Sequence, residues 1–323
     1  MQDVELPGFK IERVIGIGAR SRIYEALEEA TGNKFAVKRV VRNTPDDDRF
    51  IDQVEKEFEV SSRLEHPFLR KSFHLHRLRK RLQTKEVLLV MEYVFGVGLD
   101  RQVPNRLHQF LVLFRKVATA LNALHEMGYL HADMKPNNIL RGPQGLVKII
   151  DFGHACPIGQ RKDRIQGTPD YIAPEQVRRL PLDQRTDVFN LGATMYWTLT
   201  LENFPTELRV PDSMGGTYLI TADRPLAPIE INEKIPVALS KLIMDCCSEN
   251  PLDRPADMRQ LDARLATVQK LWLKQRDKLM SEYRRSLGLP PLTRPAPTGT
   301  QGPSLAPPDE PIFGPDSPEE EEP

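Results

Sequence analysis

Cysteine is scarce in this 323-residue chain, and an excess of charge of either sign is missing. The three cysteines, two of them adjacent, have neither the even count of a disulfide framework nor the paired spacing of a zinc site. Lysine plus arginine (45) balance aspartate plus glutamate (45), so the composition favours neither nucleic acid nor an anionic membrane as a partner. We therefore expect a protein of a reducing compartment that binds no nucleic acid.

Long apolar runs are also missing. The longest apolar stretches, such as residues 189–201, are too short to cross a bilayer and contain polar residues. The first ten residues contain two acids and no apolar run, so we expect no signal peptide. These features predict a cytoplasmic protein without a membrane span. The length allows about two domains or lobes.

A polar loop lies near the middle of the sequence, at residues 131–138. Asp133 is followed two residues later by Lys135 and five residues later by Asn138, and Pro136 keeps the stretch out of a helix. Asp133 can accept a proton from a hydroxyl, and Lys135 offers a cation to a moving phosphate. The pattern predicts a site for a polyanion.

A second carboxylate, Asp151, comes eighteen residues after Asp133, where an apolar strand over residues 146–150 ends. It opens an Asp-Phe-Gly sequence. Asp151 and Asn138 carry hard oxygen atoms of the kind that Mg²⁺ binds. The two motifs together predict a metal ion beside the phosphates.

A glycine-containing turn between two predicted strands lies near the start of the chain. Gly16 and Gly18 are followed by Ser21, and glycine lets backbone N–H groups approach phosphates closely. The next strand, over residues 35–41, carries Lys38 within an apolar run. This arrangement is typical of a strand-turn-strand unit that covers a nucleotide.

These motifs, in this order and at this spacing, resemble those of eukaryotic-type (Hanks-type) serine/threonine protein kinases, which include soluble bacterial members. The resemblance covers about residues 9–267. It implies an α+β, bilobal protein kinase fold, with a small β-rich N-lobe containing one helix (9–94) and a larger helical C-lobe (95–267). The remaining segments are a short N-terminal extension, a C-terminal helical extension and a disordered, Pro-rich, acidic tail, at residues 1–8, 268–288 and 289–323.

The resemblance also implies ATP and Mg²⁺ as cofactors, with Mn²⁺ as a substitute for Mg²⁺. Asp133 and Lys135 would be catalytic, and Asn138 and Asp151 would hold the metal. The nucleotide would be bound by residues of the glycine turn, the neighbouring strands, the first helix and the link between the lobes: Ile15, Gly16, Gly18, Ser21, Ile23, Ala36, Lys38, Glu57, Met91, Glu92, Val94 and Leu140.

Glu57 is assigned within a helix that the apolar spacing predicts over residues 48–64. By the resemblance, a glutamate of this helix pairs with Lys38. Glu55 and Glu59 are neighbours that project to other faces of the helix. The spacing favours Glu57.

A protein substrate with a serine or threonine acceptor is implied by residues 167–171, which resemble the family's substrate-docking loop. Thr168 of this loop would bridge Asp133 and Lys135. The Ala-Pro-Glu sequence that follows ends in Glu175, which we expect to pair with Arg254. The sequence does not name the substrate, since Asn137 replaces an acid that often selects basic residues.

Two departures from the family pattern leave alternatives open. Ser21 replaces the third glycine, and Ala132 replaces the arginine that holds a phosphate in many regulated kinases. Between Gly153 and Gly167 there is no serine, threonine or tyrosine, so we expect no switching by phosphorylation of this activation segment. The alternatives to a protein kinase are a pseudokinase-type nucleotide-binding scaffold and a small-molecule phosphotransferase.

The C-terminal part predicts one long helix followed by a tail. Residues 256–287 carry an apolar stripe that includes Leu261 and Leu279. We expect its first half to close the C-lobe, and for its second half we favour packing on the same lobe over self-association or contact with an acidic surface. From Pro290 onward the tail has eleven prolines in 34 residues and ends in an acidic run. Such a composition predicts disorder. Its P-x-x-P spacings are a weak signal for a protein partner.

Overall fold

Two lobes follow one another along the chain in the computed structural model. The first lobe is built on a β-sheet and the second mainly on helices, so the α+β bilobal fold expected from the sequence is confirmed. The structure describes residues 4–18, 20–80, 83–206, 208–209, 218–219, 225–287, 289–290 and 312–313.

The N-lobe contains an antiparallel sheet of the strands β1 (Phe9–Ile17), β2 (Ser21–Glu28), β3 (Lys34–Val41), β4 (Ser72–Lys80) and β5 (Gln83–Glu92). Their order across the sheet is β1-β2-β3-β5-β4. Gly32, between β2 and β3, has a φ of 72°, which glycine adopts without a steric penalty. The register places Lys38 of β3 opposite Ile23 of β2 and Leu89 of β5.

The helix of the N-lobe, α1 (Asp48–Ser61), packs against β3, β4 and β5. Ile51, Val54 and Glu57 recur every three residues and are all buried, so Glu57 occupies the apolar face of the helix. A buried carboxylate is costly unless it is paired with a cation. The fold therefore requires a cationic partner for Glu57.

The C-lobe contains short strands that position its loops, namely β6 (Val97–Gly98), β7 (Tyr129–Leu130), β8 (Ile139–Gly142), β9 (Leu146–Ile149), β10 (Cys156–Pro157), β11 (Leu208–Arg209) and β12 (Tyr218–Leu219). β8 lies between β6 and β9, β7 pairs with β10, and β11 pairs with β12. Asn138 directly precedes β8, and Asp151 follows β9 after one residue. Because β8 and β9 are antiparallel, these two side chains start from the same end of the sheet.

The helices of the C-lobe are α2 (Leu107–Glu126), α3 (Pro174–Val177), α4 (Gln184–Thr200), α5 (Pro228–Ile231), α6 (Val237–Cys246) and α7 (Met258–Ser286). Phe110 and Phe114 of α2 and Phe189 of α4 lie in the core. Burying each of these rings contributes roughly 2–3 kcal/mol to stability. Arg115 joins α2 to α7 through Asp262, at 2.7 Å.

Helix α7 continues without a break through the extension predicted at residues 268–288, as far as Ser286. Leu265 is buried, and Trp272 packs on the core and stacks on His108, with ring centroids 6.4 Å apart. Leu279 is 58% exposed. The expectation that the whole apolar stripe packs on the lobe is therefore wrong beyond Trp272, because the helix extends past the apolar surface of the C-lobe.

Within the described residues, no helix combines the length and the apolar character that a membrane crossing requires. Of the predicted tail, residues 289–290 and the pair Ile312–Phe313 are described, and this pair lies on the C-lobe. Residues 1–3, 288, 291–311 and 314–323 lie outside the described residues. The disorder expected for the tail therefore stays a prediction there.

Candidate active site

Lys38 of β3 lies between two carboxylates, one from each lobe. Its Nζ is 2.7 Å from Glu57 Oε2 and 3.2 Å from Asp151 Oδ1. The alternatives to Glu57 have other partners, since Glu55 bonds Arg77 at the surface and Glu59 pairs with Lys56. The pairing of Lys38 with Glu57 expected from the sequence is confirmed.

The electrostatics of this cluster keep Lys38 and Asp151 charged. Burial alone would lower the pKa of Lys38, but Asp151 and Glu57 raise it well above its usual value. Burial alone would raise the pKa of Asp151, but the charge and hydrogen bond of Lys38 hold it well below its usual value. Asp151 is therefore ionised at neutral pH and able to bind a cation.

Arg70 is a member of this cluster that the sequence did not indicate. It directly precedes Lys71 and β4, and its Nη2 lies 3.0 Å from Glu57 Oε1. Arg70 is 5% exposed. Its backbone N–H donates to Ile149 O, which anchors it to the strand that leads to Asp151. Sequence alternation would place such an arginine at the surface, and only its contact with buried Glu57 identifies its role.

The polar loop at residues 131–138 places its acid and its lysine around one hydroxyl. Lys135 Nζ donates to Thr168 Oγ1 at 2.8 Å, and Thr168 Oγ1 donates to Asp133 Oδ1 at 2.8 Å. Lys135 Nζ also lies 3.1 Å from Asp133 Oδ2. The bridge of Thr168 between Asp133 and Lys135 is confirmed, and it holds the carboxylate and the ammonium group in a fixed relation.

The backbone of this loop is held by a buried carboxylate from α4. Asp187 accepts hydrogen bonds from the N–H groups of His131 (2.8 Å) and Ala132 (2.7 Å) and from His125 Nε2 (2.8 Å). Ala132 has a φ of 59°, a left-handed conformation that is strained for a residue other than glycine. The contact with Asp187 stabilises this turn and so aims Asp133.

The donor set at residues 138 and 151 suits a magnesium or manganese ion. Asn138 Nδ2 donates to Asp133 O at 2.8 Å, which orients the amide and leaves its oxygen as a ligand. Asp151 supplies an ionised carboxylate on the adjacent strand end. Mg²⁺ commonly binds one or two protein oxygens together with substrate phosphates and water. The residues present therefore fit a metal that is completed by a nucleotide.

The glycine turn between β1 and β2 is stabilised by a backbone hydrogen bond within the turn. Gly18 N–H donates to Ser21 O at 2.8 Å, and a Cβ on Gly18 would lie 2.6 Å from Ser21 Oγ. Gly16 is paired with Ile23, which faces Lys38 on the next strand. The register thus places the turn on the two strands beside Lys38, although Ala19 at its tip is outside the described residues. Its role as a phosphate cover stays a prediction.

The residues predicted to surround the base come from both lobes. Ala36 (3% exposed) lies opposite Met91 (fully buried) across β3 and β5. Ile15 of β1 is 41% exposed, and Leu140 of β8 faces Gly98 of β6. By the resemblance these positions would surround the base, and that role stays a prediction.

The link between the lobes is fixed by a buried lysine that the sequence did not indicate. Lys148 Nζ lies 2.7 Å from Glu92 Oε1. The N–H of Glu92 donates to Lys71 O at 2.9 Å, so a contact of Glu92 with the base would use its carbonyl oxygen. Val94 follows β5 in extended, non-helical backbone. This ion pair ties the link to β9, close to Asp151.

Asp100, two residues after Gly98 of β6, has a protein partner. Its Oδ2 accepts from Asn137 Nδ2 at 2.9 Å. Asn137 therefore joins the active-site loop to the stretch that follows the link between the lobes.

The activation segment, residues 153–167, is held by hydrogen bonds from protein groups. Lys162 Nζ donates to His154 O at 3.1 Å, and Arg179 Nη1 donates to Asp163 O at 3.1 Å. Gln176 Nε2 donates to Gln166 O at 3.2 Å and to Ala132 O at 2.8 Å. Gln176 thus connects the end of the segment to the polar loop beside Asp133.

The end of the segment is anchored by a buried ion pair. Arg254 Nη1 and Nη2 lie 2.8 and 2.9 Å from the two carboxylate oxygens of Glu175. Glu175 and Arg254 are 5% and 4% exposed. Such a bidentate pair satisfies both charges and fixes their geometry. The pairing of Glu175 with Arg254 expected from the sequence is confirmed.

Comparison with known proteins agrees with this geometry. The protein kinase domain family matches residues 9–265. The chain is 29% identical over 307 residues to serine/threonine-protein kinase pkn3 of Myxococcus xanthus. The aligned region covers 90% of this chain and 54% of that protein. It is 29% identical over 282 residues to serine/threonine-protein kinase A of Synechocystis, covering 79% of this chain and 53% of that protein.

A third relative is serine/threonine-protein kinase PknD of Chlamydia caviae, at 27% identity over 291 residues, 79% of this chain and 30% of that protein. The chain therefore spans between 30% and 54% of the length of these relatives. The family match extends over both lobes and includes every element that contributes to the site. This chain belongs to the protein kinase family.

Proposed function

We propose that this protein transfers the γ-phosphoryl group of ATP to serine or threonine hydroxyls of protein substrates. The observation that carries the proposal is that Asp151 and Asp133 lie beside two different lysines. Asp151 lies 3.2 Å from Lys38, and Asp133 lies 3.1 Å from Lys135. The first pair suits the phosphates of the nucleotide, and the second suits the hydroxyl that attacks them.

The proposed roles follow from these positions. Lys38, held by Glu57, orients the α- and β-phosphates under the turn at residues 16–21. Asp133 holds the acceptor hydroxyl and takes its proton, and Lys135 stabilises the phosphoryl group as it moves.

Asn138 and Asp151 would hold Mg²⁺, or Mn²⁺ in its place. The metal, when bound, neutralises negative charge between the β- and γ-phosphates. The preference between these two ions is part of the proposal. Turnover for such a site is on the order of 1–100 s⁻¹ with a good substrate.

We further propose that the activation segment is not switched by its own phosphorylation. The segment from residue 153 to 167 has no hydroxyl side chain, and Ala132 offers no cation for a phosphate. Contacts from Lys162, Arg179 and Gln176 hold the segment instead. Charge from a phosphate group is thus not needed to order it.

The cellular setting is proposed from composition. The three cysteines are free and buried, which suits the reducing cytoplasm. The balanced charge gives no reason to expect nucleic acid as a partner. The Pro-rich tail could bind a protein partner, and the substrates are proteins with a serine or threonine acceptor.

The direct test is transfer of labelled γ-phosphate from ATP to casein by phosphatase-treated protein with Mg²⁺. Asp133→Asn and Asp151→Asn are each expected to abolish transfer. Asp163→Asn, an exposed carboxylate on the activation segment, makes the same charge change outside the site and is the matched control. The control is expected to retain transfer.

Three outcomes distinguish the proposed activity and its proposed independence from phosphorylation from their alternatives. Transfer that needs both carboxylates and no prior phosphate supports an active kinase. ATP binding without transfer supports the pseudokinase-type scaffold and makes Ser21 and Ala132 the first residues to restore. Loss of activity on phosphatase treatment, with a phosphosite mapped between residues 153 and 168, would contradict the proposed independence from phosphorylation.

A further inference from the structure

Two tail residues, Ile312 and Phe313, are seated on the C-lobe through their backbone. Ile312 N–H donates to Asn105 O at 2.8 Å, and Asn232 Nδ2 donates to Ile312 O at 2.9 Å. Phe313 N–H lies 3.3 Å from Asn105 Oδ1. The amide and carbonyl groups of Ile312 are thus both bound by the lobe, which fixes the direction of the chain.

The side chains of this pair enter the apolar core. Ile312 is 6% exposed and belongs to the continuous buried cluster of the C-lobe, and Phe313 packs against that cluster. In residues 290–323 the pair is the only place where two large apolar residues are adjacent. The tail therefore uses its one strongly apolar dipeptide for this contact, where burial is most favourable.

The seat is formed by two distant parts of the sequence. Asn105 precedes α2, and Asn232 follows α5 directly. Both are asparagines whose side chains contact the backbone of the pair rather than its side chains. Backbone hydrogen bonds combined with apolar burial are how proteins bind short peptide segments.

We propose that this seat is a peptide-docking site of the C-lobe, and that its occupant is the chain's own Ile312–Phe313 pair, bound in cis. The intervening residues 291–311 number 21 and include seven prolines. A covalent connection of this length raises the effective concentration of the pair at its seat to about the millimolar range. A short anchor of modest affinity is therefore occupied within the same molecule.

The proposal predicts competition between the tethered pair and the same peptide supplied in solution. The probe is a fluorescein-labelled synthetic peptide of residues 306–318, followed by fluorescence anisotropy. The full-length chain carrying Ile312→Asp and Phe313→Asp has a free seat and binds the peptide in a saturable manner. Wild-type protein binds at least about tenfold more weakly, since its seat is filled.

Three controls separate the seat from unspecific binding. Full-length protein with Leu292→Asp and Leu305→Asp carries the same charge change in the tail but retains the anchor, so it behaves like wild type. Asn232→Ala, added to the anchor-free variant, removes one hydrogen bond to Ile312 O and weakens peptide binding about fivefold. A labelled peptide with Ile312→Asp does not bind.

Hydrogen exchange on the wild-type chain gives a second measurement that needs no variant. The amide of Ile312 is expected to be protected and to lose that protection when excess unlabelled peptide is added. Equal peptide binding by wild type and the anchor-free variant, or no binding by either, overturns the proposal. Self-association of wild type that the anchor-free variant lacks overturns the cis assignment, because the tail then docks on a second copy. None of these measurements depends on kinase activity.

Discussion

Glu57 accepts hydrogen bonds from two buried cations at once, Lys38 at 2.7 Å and Arg70 at 3.0 Å. Arg70 is fixed through its N–H to Ile149 O, two residues before Asp151. Lys38 has two tasks, because it contacts Asp151 here and would move toward the phosphates of a bound nucleotide. Arg70 has a single task, since it can keep Glu57 and α1 in place while the Lys38 side chain moves. We infer that Arg70 positions the glutamate independently of the activation segment.

Replacing Arg70 tests this role. Arg70→Leu removes one of two cations from a buried carboxylate, with an expected loss of about 3 kcal/mol in the free energy of unfolding. Because Lys38 still reaches the nucleotide, we expect the Kd for ATP to change less than about threefold. We expect kcat to fall about tenfold as Glu57 loses its fixed position. Arg70→Lys keeps a cation and should recover part of kcat.

The matched control is Arg77→Leu. Arg77 of β4 also bonds a glutamate of α1, Glu55, at 2.6 Å, but this pair is exposed. Its loss should cost less than about 1 kcal/mol and leave kcat unchanged. The positioning role of Arg70 is wrong if both replacements lower kcat equally, or if Arg70→Leu acts on stability alone.

The contrast between Arg70 and Lys38 shows what sequence could and could not predict. Lys38 is found because a lysine in an apolar strand, at a set distance from a glycine turn, is a local pattern. Arg70 and Lys148 each contact a glutamate that is distant in sequence, Glu57 and Glu92. No local pattern marks a buried arginine or lysine, since composition and alternation predict both at the surface.

The contacts of the tail and of Asp187 likewise could not be predicted from local sequence patterns. The proline content of residues 289–323 predicts disorder from composition alone, and composition does not show that a single dipeptide has a seat on the lobe. The three donors that Asp187 accepts from lie 55 to 62 residues earlier in the chain, so no local pattern indicates these contacts. Local patterns predicted the elements and the motifs, whereas contacts between distant polar groups required the structure.

Thr168 lies between Asp133 and Lys135. Its hydroxyl group can be removed by substitution while the acid and the lysine stay unchanged. Thr168→Val keeps the shape and removes both hydrogen bonds, at 2.8 Å each. We expect kcat to fall about a hundredfold, because the acid and the lysine lose their fixed relation. Thr168→Ser keeps the hydroxyl and should retain most activity. Steady-state transfer assays check this, and full activity of Thr168→Val together with a loss in Thr168→Ser would show that the methyl group matters instead.

Gly192 marks the closest approach of α4 and α6. A Cβ there would lie 2.6 Å from Cys246 Cβ and 3.0 Å from Cys247 Sγ. Alanine in place of glycine favours a helix by up to about 1 kcal/mol. The clash with α6 should outweigh this gain, so Gly192→Ala is expected to lower the free energy of unfolding by about 2 kcal/mol. Urea unfolding measures it, and a stabilised variant would contradict the close packing.

Asp187 predicts a pH dependence of stability. Burial alone would raise the pKa of Asp187, but His125 and the backbone N–H of His131 lower it below the usual value of 3.8. A carboxylate whose pKa is lower in the folded than in the unfolded state stabilises the fold fully above the unfolded pKa. That contribution is lost as the pH falls from about 4 through the folded value.

Asp187→Asn should therefore be destabilised by about 3 kcal/mol at pH 7, because a neutral amide cannot replace an acceptor of three hydrogen bonds. The difference from wild type should shrink as the pH falls below 4, since the wild-type carboxylate then becomes protonated. Asp183→Asn is the control, because Asp183 caps α4 at the surface and asparagine caps equally well. Urea unfolding of the three proteins between pH 3 and pH 7 tests this. A pH-independent difference for Asp187→Asn would mean that shape rather than charge holds the loop beside Asp133.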